Sequence, residues 1–285
     1  MSELRSEPVW RTRYEKFVAD TRALSAAQRR RLSLISMTLV GVGVVLFICV
    51  LVDVLQPDRS AIYDSPIRLW LVGERSPTLT VVMIALAIVF GPVALPIIVL
   101  VLAVVWGVTG KHAWRPLVLA AAMLTGVLLA QILAPLVARS RPPVELMLFG
   151  ADHSFSFPSG HVLGAADFVL VLTYLIVSRR SSRRNVIVGF SVALVCIVLA
   201  ATSRLYLGYH WTTDALASLA ISFVVLGAVI AWDTRHAHRS LQARTLRTTS
   251  LQPGAAGPNK AVGTVTDEAK TDQNQRDRAV GQGGE

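Results

Sequence analysis

Charge is scarce in this chain. Only 16% of its 285 residues are Asp, Glu, Lys or Arg, and the mean hydropathy of +0.54 excludes an ordinary soluble globular domain. Cysteine is scarcer still. Cys49 and Cys196 both fall inside apolar runs, where a free cysteine behaves as a small buried hydrophobe, so neither a disulfide nor a thiolate metal site is expected. Residues at metal-ligand spacing are missing, as are an internal repeat at a fixed period and a second domain. The formal net charge of +10 is gathered between apolar runs, which makes it a topology signal rather than a nucleic-acid footprint.

Long apolar runs are what the chain has. They cover roughly 32–55, 78–106, 116–138, 162–178, 186–202 and 213–233, each near the ~20 residues a helix needs to cross ~30 Å of hydrocarbon. The expected fold is therefore all-α: a polytopic membrane protein with six transmembrane helices in a bundle. The second run contains Gly91-Pro92 and Pro96, so it reads either as one tilted, kinked helix or as two half-spans. With six spans and both termini cytoplasmic, the inner segments hold 22 of the 28 Lys and Arg, as the positive-inside rule requires. Trp70, Trp106, Trp114, Trp211 and Trp232 fall near span ends, where an aromatic belt belongs. Residues 1–31 read as a cytoplasmic basic arm ahead of a retained helix, residues 32–235 as the six-span domain, and 236–285 as a cytoplasmic, disordered tail that lacks the means to bury a core.

Three polar stretches interrupt this pattern: Arg141-Pro142, then Pro158-Ser159-Gly160-His161, then Ser203-Arg204 followed by His210 and Asp214. On the six-span topology all three land on the outer face. Ser159-Gly160-His161 opens a helix, whose unpaired amides and positive dipole end favour an anion; alone, Pro-Ser-Gly is equally a plain loop-to-helix turn. His210 and Asp214 are four residues apart, so on a helix they share a face and the carboxylate can hold one imidazole nitrogen while the other attacks. Arg141 and Arg204 offer planar forks suited to phosphate oxygens. The set amounts to a phosphate pocket with two histidines and no need of a metal.

These stretches, with SRLYLGYHWTTD over Ser203–Asp214, resemble the three signatures of the type 2 phosphatidic acid phosphatase (PAP2) superfamily, in its integral-membrane lipid phosphatase branch, over roughly residues 60–235. The resemblance implies that His210 is the nucleophile that forms a phosphohistidine, that Asp214 orients it, and that His161 protonates the leaving oxygen. It further implies that Arg141, Arg204, Ser159 and the Gly160 amide hold the phosphate, without a cofactor. The family's first signature begins with a lysine seven residues before its arginine, where this chain has Ala134. Arg139 and Gln131 are the nearest candidates to supply the missing donor.

The expected activity is hydrolysis of a lipid phosphate or polyprenyl diphosphate at the outer face of a bacterial cell membrane, with phosphatidic acid, phosphatidylglycerol phosphate and polyprenyl diphosphate all compatible. Transfer to another lipid acceptor is an alternative, and so is a non-catalytic phospholipid binder or transporter, suggested by Ala134 and the intramembrane charges Asp53 and Asp167. A carboxylate within a span is a functional candidate, but Asp167 lies about 120° around the helix from His161. His153 reads as a solvated loop residue.

Overall fold

The computed structural model describes residues 24–110, 113–178 and 182–250, with residues 237–250 as backbone only. The first 23 residues of the basic arm and the tail beyond residue 250 lie outside the described residues. The chain divides into two compact units, Met1–Leu241 and Gln242–Glu285, and the bundle and site belong to the first. Among the described residues every regular element is helical: α1 (Ala26–Val54), α2 (Pro57–Gly73), α3 (Pro77–Val89), α4 (Ala94–Gly110), α5 (Trp114–Val137), α6 (Gly160–Val177), α7 (Arg183–Tyr206) and α8 (Thr212–Ser250), with a short 3-10 turn at Val144–Leu146.

Five of these helices, α1, α5, α6, α7 and α8, are long and apolar enough to cross a membrane, and α3 with α4, bent by 50° at the break between them, is a sixth when the pair is taken as one span. The bend has a local cause. Pro92 brings no N–H to the helical ladder and its ring opposes the preceding turn. Gly91 then allows the chain to close up, since a Cβ there would lie 2.8 Å from the Ala87 carbonyl oxygen. The helix ends also outrun the apolar stretches. Ser25 and Gln28 form a reciprocal capping box that starts α1 at Ala26, and the backbone of α8 stays helical to Ser250. Helix α2 fills a stretch that the hydropathy pattern leaves as a loop.

Burial separates the helices into two classes. The most apolar windows of α6 and α8 are 56% and 61% buried, against 17–22% for α1, α5 and α7, so α6 and α8 form the centre and the others present apolar side chains outward. Leu119, Leu163, Val171 and Leu175 lie at the heart of the core. Outward Ile132, Leu136, Val192 and Leu194 are exposed, which costs nothing where the surroundings are lipid tails. Without a hydrophobic force between helices, close backbone approach matters, and α1 meets α8 through glycines. A Cβ on Gly43 would lie 2.7 Å from the Ala220 carbonyl oxygen, one on Gly227 would lie 2.9 Å from that of Ser36, and the Ser36 hydroxyl donates to the Gly227 carbonyl at 2.7 Å.

The turn between α7 and α8 is built on Gly208. Its φ is +82°, and a Cβ would come within 2.4 Å of the Leu146 carbonyl oxygen. Around it the Leu148 N–H donates to the Leu207 carbonyl at 3.1 Å, and Arg75 Nη2 donates to the carbonyls of Leu146 and Tyr206, at 2.8 Å each. Gly208→Ala therefore loses both the left-handed conformation, worth about 1–2 kcal/mol, and the close packing. We expect a clear fall in melting temperature in detergent, while Gly107→Ala, at a glycine with open space around it, leaves it unchanged or raised. An unaltered melting temperature for Gly208→Ala would contradict this packing.

Candidate active site

The three polar stretches meet at one end of the bundle. Helix α5 ends at Ala138, a left-handed residue with φ +49° whose N–H donates to the Ala134 carbonyl at 2.9 Å. The loop beyond it is pinned at Ser156, whose N–H donates to the Arg139 carbonyl at 2.9 Å and whose hydroxyl donates to that of Ser140 at 3.2 Å. This brings residues 141–161 over the α7–α8 turn.

His210 sits in that turn, almost fully buried. Its Nδ1 lies 2.8 Å from the Ser156 carbonyl oxygen and 3.5 Å from Asp214 Oδ2, the latter an ion-pair distance and long for a hydrogen bond. Two acceptors on one side fix the proton on Nδ1 and leave Nε2 unprotonated, its lone pair turned toward Arg141 Nη1. Asp214 is itself held: Oδ2 accepts from the Trp211 N–H at 2.9 Å, half of a capping box at the start of α8. Burial pulls the His210 imidazolium below the usual histidine range, against the opposing pull of Asp214, with Arg204 and Arg141 adding to the lowering.

His210 and His161 line a single cavity of about 670 Å³ together with Arg141, Arg204 and Gly160. Nε2 of His161 lies 3.6 Å from where a Cβ of Gly91 would be, so the α3–α4 break forms the wall beside it. Arg204 is buried, stacks 4.2 Å over the Tyr209 ring, and has an Nε without a hydrogen-bond partner. Arg141 is heavily engaged. It donates to the Tyr209 carbonyl at 2.8 Å and the Ser154 hydroxyl at 2.9 Å, meets Asp152 at 3.0 Å, and has Nη1 3.2 Å from Nε2 of His210. Burial lowers its pKa, with Asp152 and Asp214 opposing. Asp152, which burial alone would raise, is carried below its usual range by hydrogen bonds from Ser154 and by the Arg141 charge. Away from the histidines the cavity runs between the α3–α4 break and α5, past Phe90, Leu95, Met123 and Ala130. Two fixed guanidiniums, the free amides at the start of α6 and two imidazoles around one space suit a tetrahedral anion with an apolar tail. Among the described residues no three His, Cys, Asp or Glu side chains converge as a metal site.

Residues 115–237 match the PAP2 superfamily. The candidate undecaprenyl-diphosphatase YbjG of Escherichia coli (strain K12) is 32% identical over 156 residues, 53% of this chain and 74% of that one. The chain belongs to the PAP2 superfamily. Phosphatidylglycerophosphatase B of Bacillus subtilis (strain 168) is 30% identical over 128 residues, 44% of this chain, and the match spans 61% of that relative's length. A crystal structure of a transmembrane PAP2 type phosphatidylglycerolphosphate phosphatase from Bacillus subtilis superposes with a TM-score of 0.61 at 27% identity, covering 68% of this chain and 96% of that one.

Within this PAP2 site several expected residues take other places. Arg139 does not line the cavity. Its Nη1 donates to Asp214 Oδ1 at 2.5 Å and its Nη2 to Asp64 Oδ2 at 2.7 Å, so two carboxylates take up the fork that was expected to face phosphate. Ala134 and Gln131 do line the cavity, which leaves Gln131 as the donor nearest the missing lysine. Ser159 is fully buried beneath the cavity wall. Its hydroxyl has no partner, and it does not cap its own helix, while its carbonyl accepts from Ser218 at 3.0 Å. Asp167 is buried against Gly126 of α5, where a Cβ would meet its carboxylate at 2.0 Å, with Ser222 beside it. His153 is exposed in the loop, and Asp53 pairs with Arg59 at 3.3 Å. The motif pattern assigned no role to Asp64, Asp152, the Ser156 carbonyl or Tyr209, although Tyr209 stands within the third stretch. Asp152 also had a readable signal, as an acid in the loop between the first two stretches.

Proposed function

We propose that this chain is a metal-independent membrane phosphatase that removes phosphate from a lipid phosphate or polyprenyl diphosphate through a phosphohistidine on His210. The observation that carries this reading is the meeting of both histidines and two guanidiniums, Arg141 and Arg204, on one cavity that continues past apolar side chains such as Phe90, Leu95 and Met123. The names of the relatives, a phosphatidylglycerophosphatase and a candidate undecaprenyl-diphosphatase, support a lipid substrate. The distribution of Lys and Arg supports an active site on the outer face of a bacterial membrane, with both termini inside.

In this reading the phosphoryl group lies between Arg141, Arg204 and the Gly160 amide. Nε2 of His210 attacks phosphorus, a P–N bond forms as the P–O bond to the leaving group breaks, an ester in a lipid phosphate and an anhydride in a diphosphate, and His161 gives its proton to the leaving oxygen. The ring gains positive charge as it is phosphorylated, and Asp214 with the Ser156 carbonyl stabilises that charge through Nδ1–H. Water, deprotonated by His161, then attacks phosphorus and frees the ring. Little covalent work is asked of the protein: fixed cations and amides meet charge as it develops on the equatorial oxygens.

Phosphate release by the detergent-purified protein from phosphatidic acid, phosphatidylglycerol phosphate and undecaprenyl diphosphate tests the proposal. Release should survive excess chelator, and vanadate should inhibit more tightly than phosphate because its trigonal-bipyramidal form resembles the transition state. Activity that disappears with chelator and returns with a divalent cation overturns the metal-free mechanism.

A further inference from the structure

Helix α2 lies outside all three signature stretches, yet it sends one side chain to the back of the site. Asp64 is 2% exposed. Its Oδ2 accepts from Arg139 Nη2 at 2.7 Å and from the Thr213 hydroxyl at 2.8 Å, and its Oδ1 accepts from the Thr213 N–H at 3.0 Å. Arg139 Nη1 in turn donates to Asp214 Oδ1 at 2.5 Å and to the Thr213 hydroxyl at 2.7 Å. Asp64, Arg139, Asp214 and His210 thus form an unbroken line that ends on the imidazole.

We propose that Asp64 and Arg139 are positioning residues for His210, acting through Asp214; the inference rests on the phosphatase reading above. With Oδ1 of Asp214 pinned by Arg139, the direction of Oδ2 toward the ring is set. Arg139 alone would also draw the Asp214 charge away from the ring. Asp64 holds the other half of the fork and shares that cation, so Asp214 keeps the negative charge that a phosphorylated imidazole needs.

A staple that merely fixes α2 against α8 would shift stability, whereas a charge relay shifts the titration of His210. That ring is faced by Asp214 of α8, Arg204 of α7 and His161 of α6, by Arg141 and Asp152 of the loop, and by Asp64 and Arg68 of α2. Asp64→Asn removes a negative charge from this set, so the acid limb of kcat/KM should move to lower pH. Arg139→Gln removes a positive charge and should move it to higher pH. Each shift is about half a pH unit, and each variant should lose roughly 10 to 100-fold in kcat, the usual cost of removing a group that orients a reacting side chain. KM should change little. In the double variant the limb should return near its wild-type position, with kcat no lower than in the worse single variant, because the two residues act as one unit.

Limbs that stay fixed or move in the same direction, or a kcat equal to wild type, overturn the relay while leaving the phosphatase reading intact. A wild type that releases no phosphate from any of the three lipids overturns that reading, and the relay falls with it. Should a neutral variant fail to fold, Arg139→Lys decides, since it keeps the charge but reaches only one carboxylate. A lowered kcat with an unmoved limb supports the relay, and full activity sinks it.

Discussion

His210→Ala should abolish phosphate release, by on the order of 10⁴-fold or more, without unfolding the protein. The expectation follows from the absence of a substitute. In the proposed mechanism Nε2 of His210 is the nucleophile, and the other imidazole on the cavity, His161, opens a different helix beside the Gly91 wall and serves the leaving group. A transferable phosphoryl group then has nowhere to form a P–N bond. His153→Ala, at an exposed loop position, should leave activity unchanged and serves as the control. In wild type, burial keeps His210 neutral at pH values where a free histidine is protonated, so the acid limb of kcat/KM that reports this ring should lie below pH ~6.5. The same shift carries a stability sign. The unfolded chain takes up a proton near pH ~6.5 that the folded ring refuses, so the contribution of His210 is complete above that pH and declines as pH falls through it. Residual release by His210→Ala within tenfold of wild type would refute the nucleophile assignment.

Asp214→Asn should lower kcat by roughly 10³ to 10⁴-fold, with a much smaller effect on KM, as expected when the partner that fixes a catalytic imidazole's tautomer is neutralised. This side chain has no tolerant orientation for an amide. Oδ1 accepts from Arg139 at 2.5 Å, and Oδ2 accepts from the Trp211 N–H at 2.9 Å while facing Nδ1–H of His210. An amide NH₂ must point at a donor on either side, leaving a buried donor unpaired. If it turns toward His210 it also opposes the Nδ1–H tautomer and the positive charge that builds during transfer. Rate measurements at saturating substrate, with the melting temperature in parallel, separate the catalytic loss from destabilisation. A kcat within tenfold of wild type in a folded protein would remove Asp214 from the mechanism.

The parts of this protein that were readable in advance are those with a local code. Apolar runs of spanning length, Gly91-Pro92 as a break, and histidines at motif spacing are written in consecutive residues, and the structure carries each of them as a helix, a 50° bend and a shared cavity. What was not readable acts at long range or through the main chain. Arg139 was expected to face phosphate because it lies two residues from Arg141, but it pairs instead with two carboxylates 75 positions away in either direction, a separation without periodicity. The Ser156 carbonyl, at 2.8 Å from His210, leaves no trace in residue identity, since every residue has one. Ser159 was expected to hold phosphate, but its hydroxyl is buried without a partner and does not cap its helix.

The break between α3 and α4 has a consequence for how this site can change over evolution. What stands beside His161 on that side is main chain at Gly91, where any larger residue would press on the Ala87 carbonyl and set a side chain against the imidazole, so the bend and the site hold this position to glycine together. A change of headgroup preference would then have to be made on the opposite side, where the side chains of Gln131 and Ala134 line the cavity.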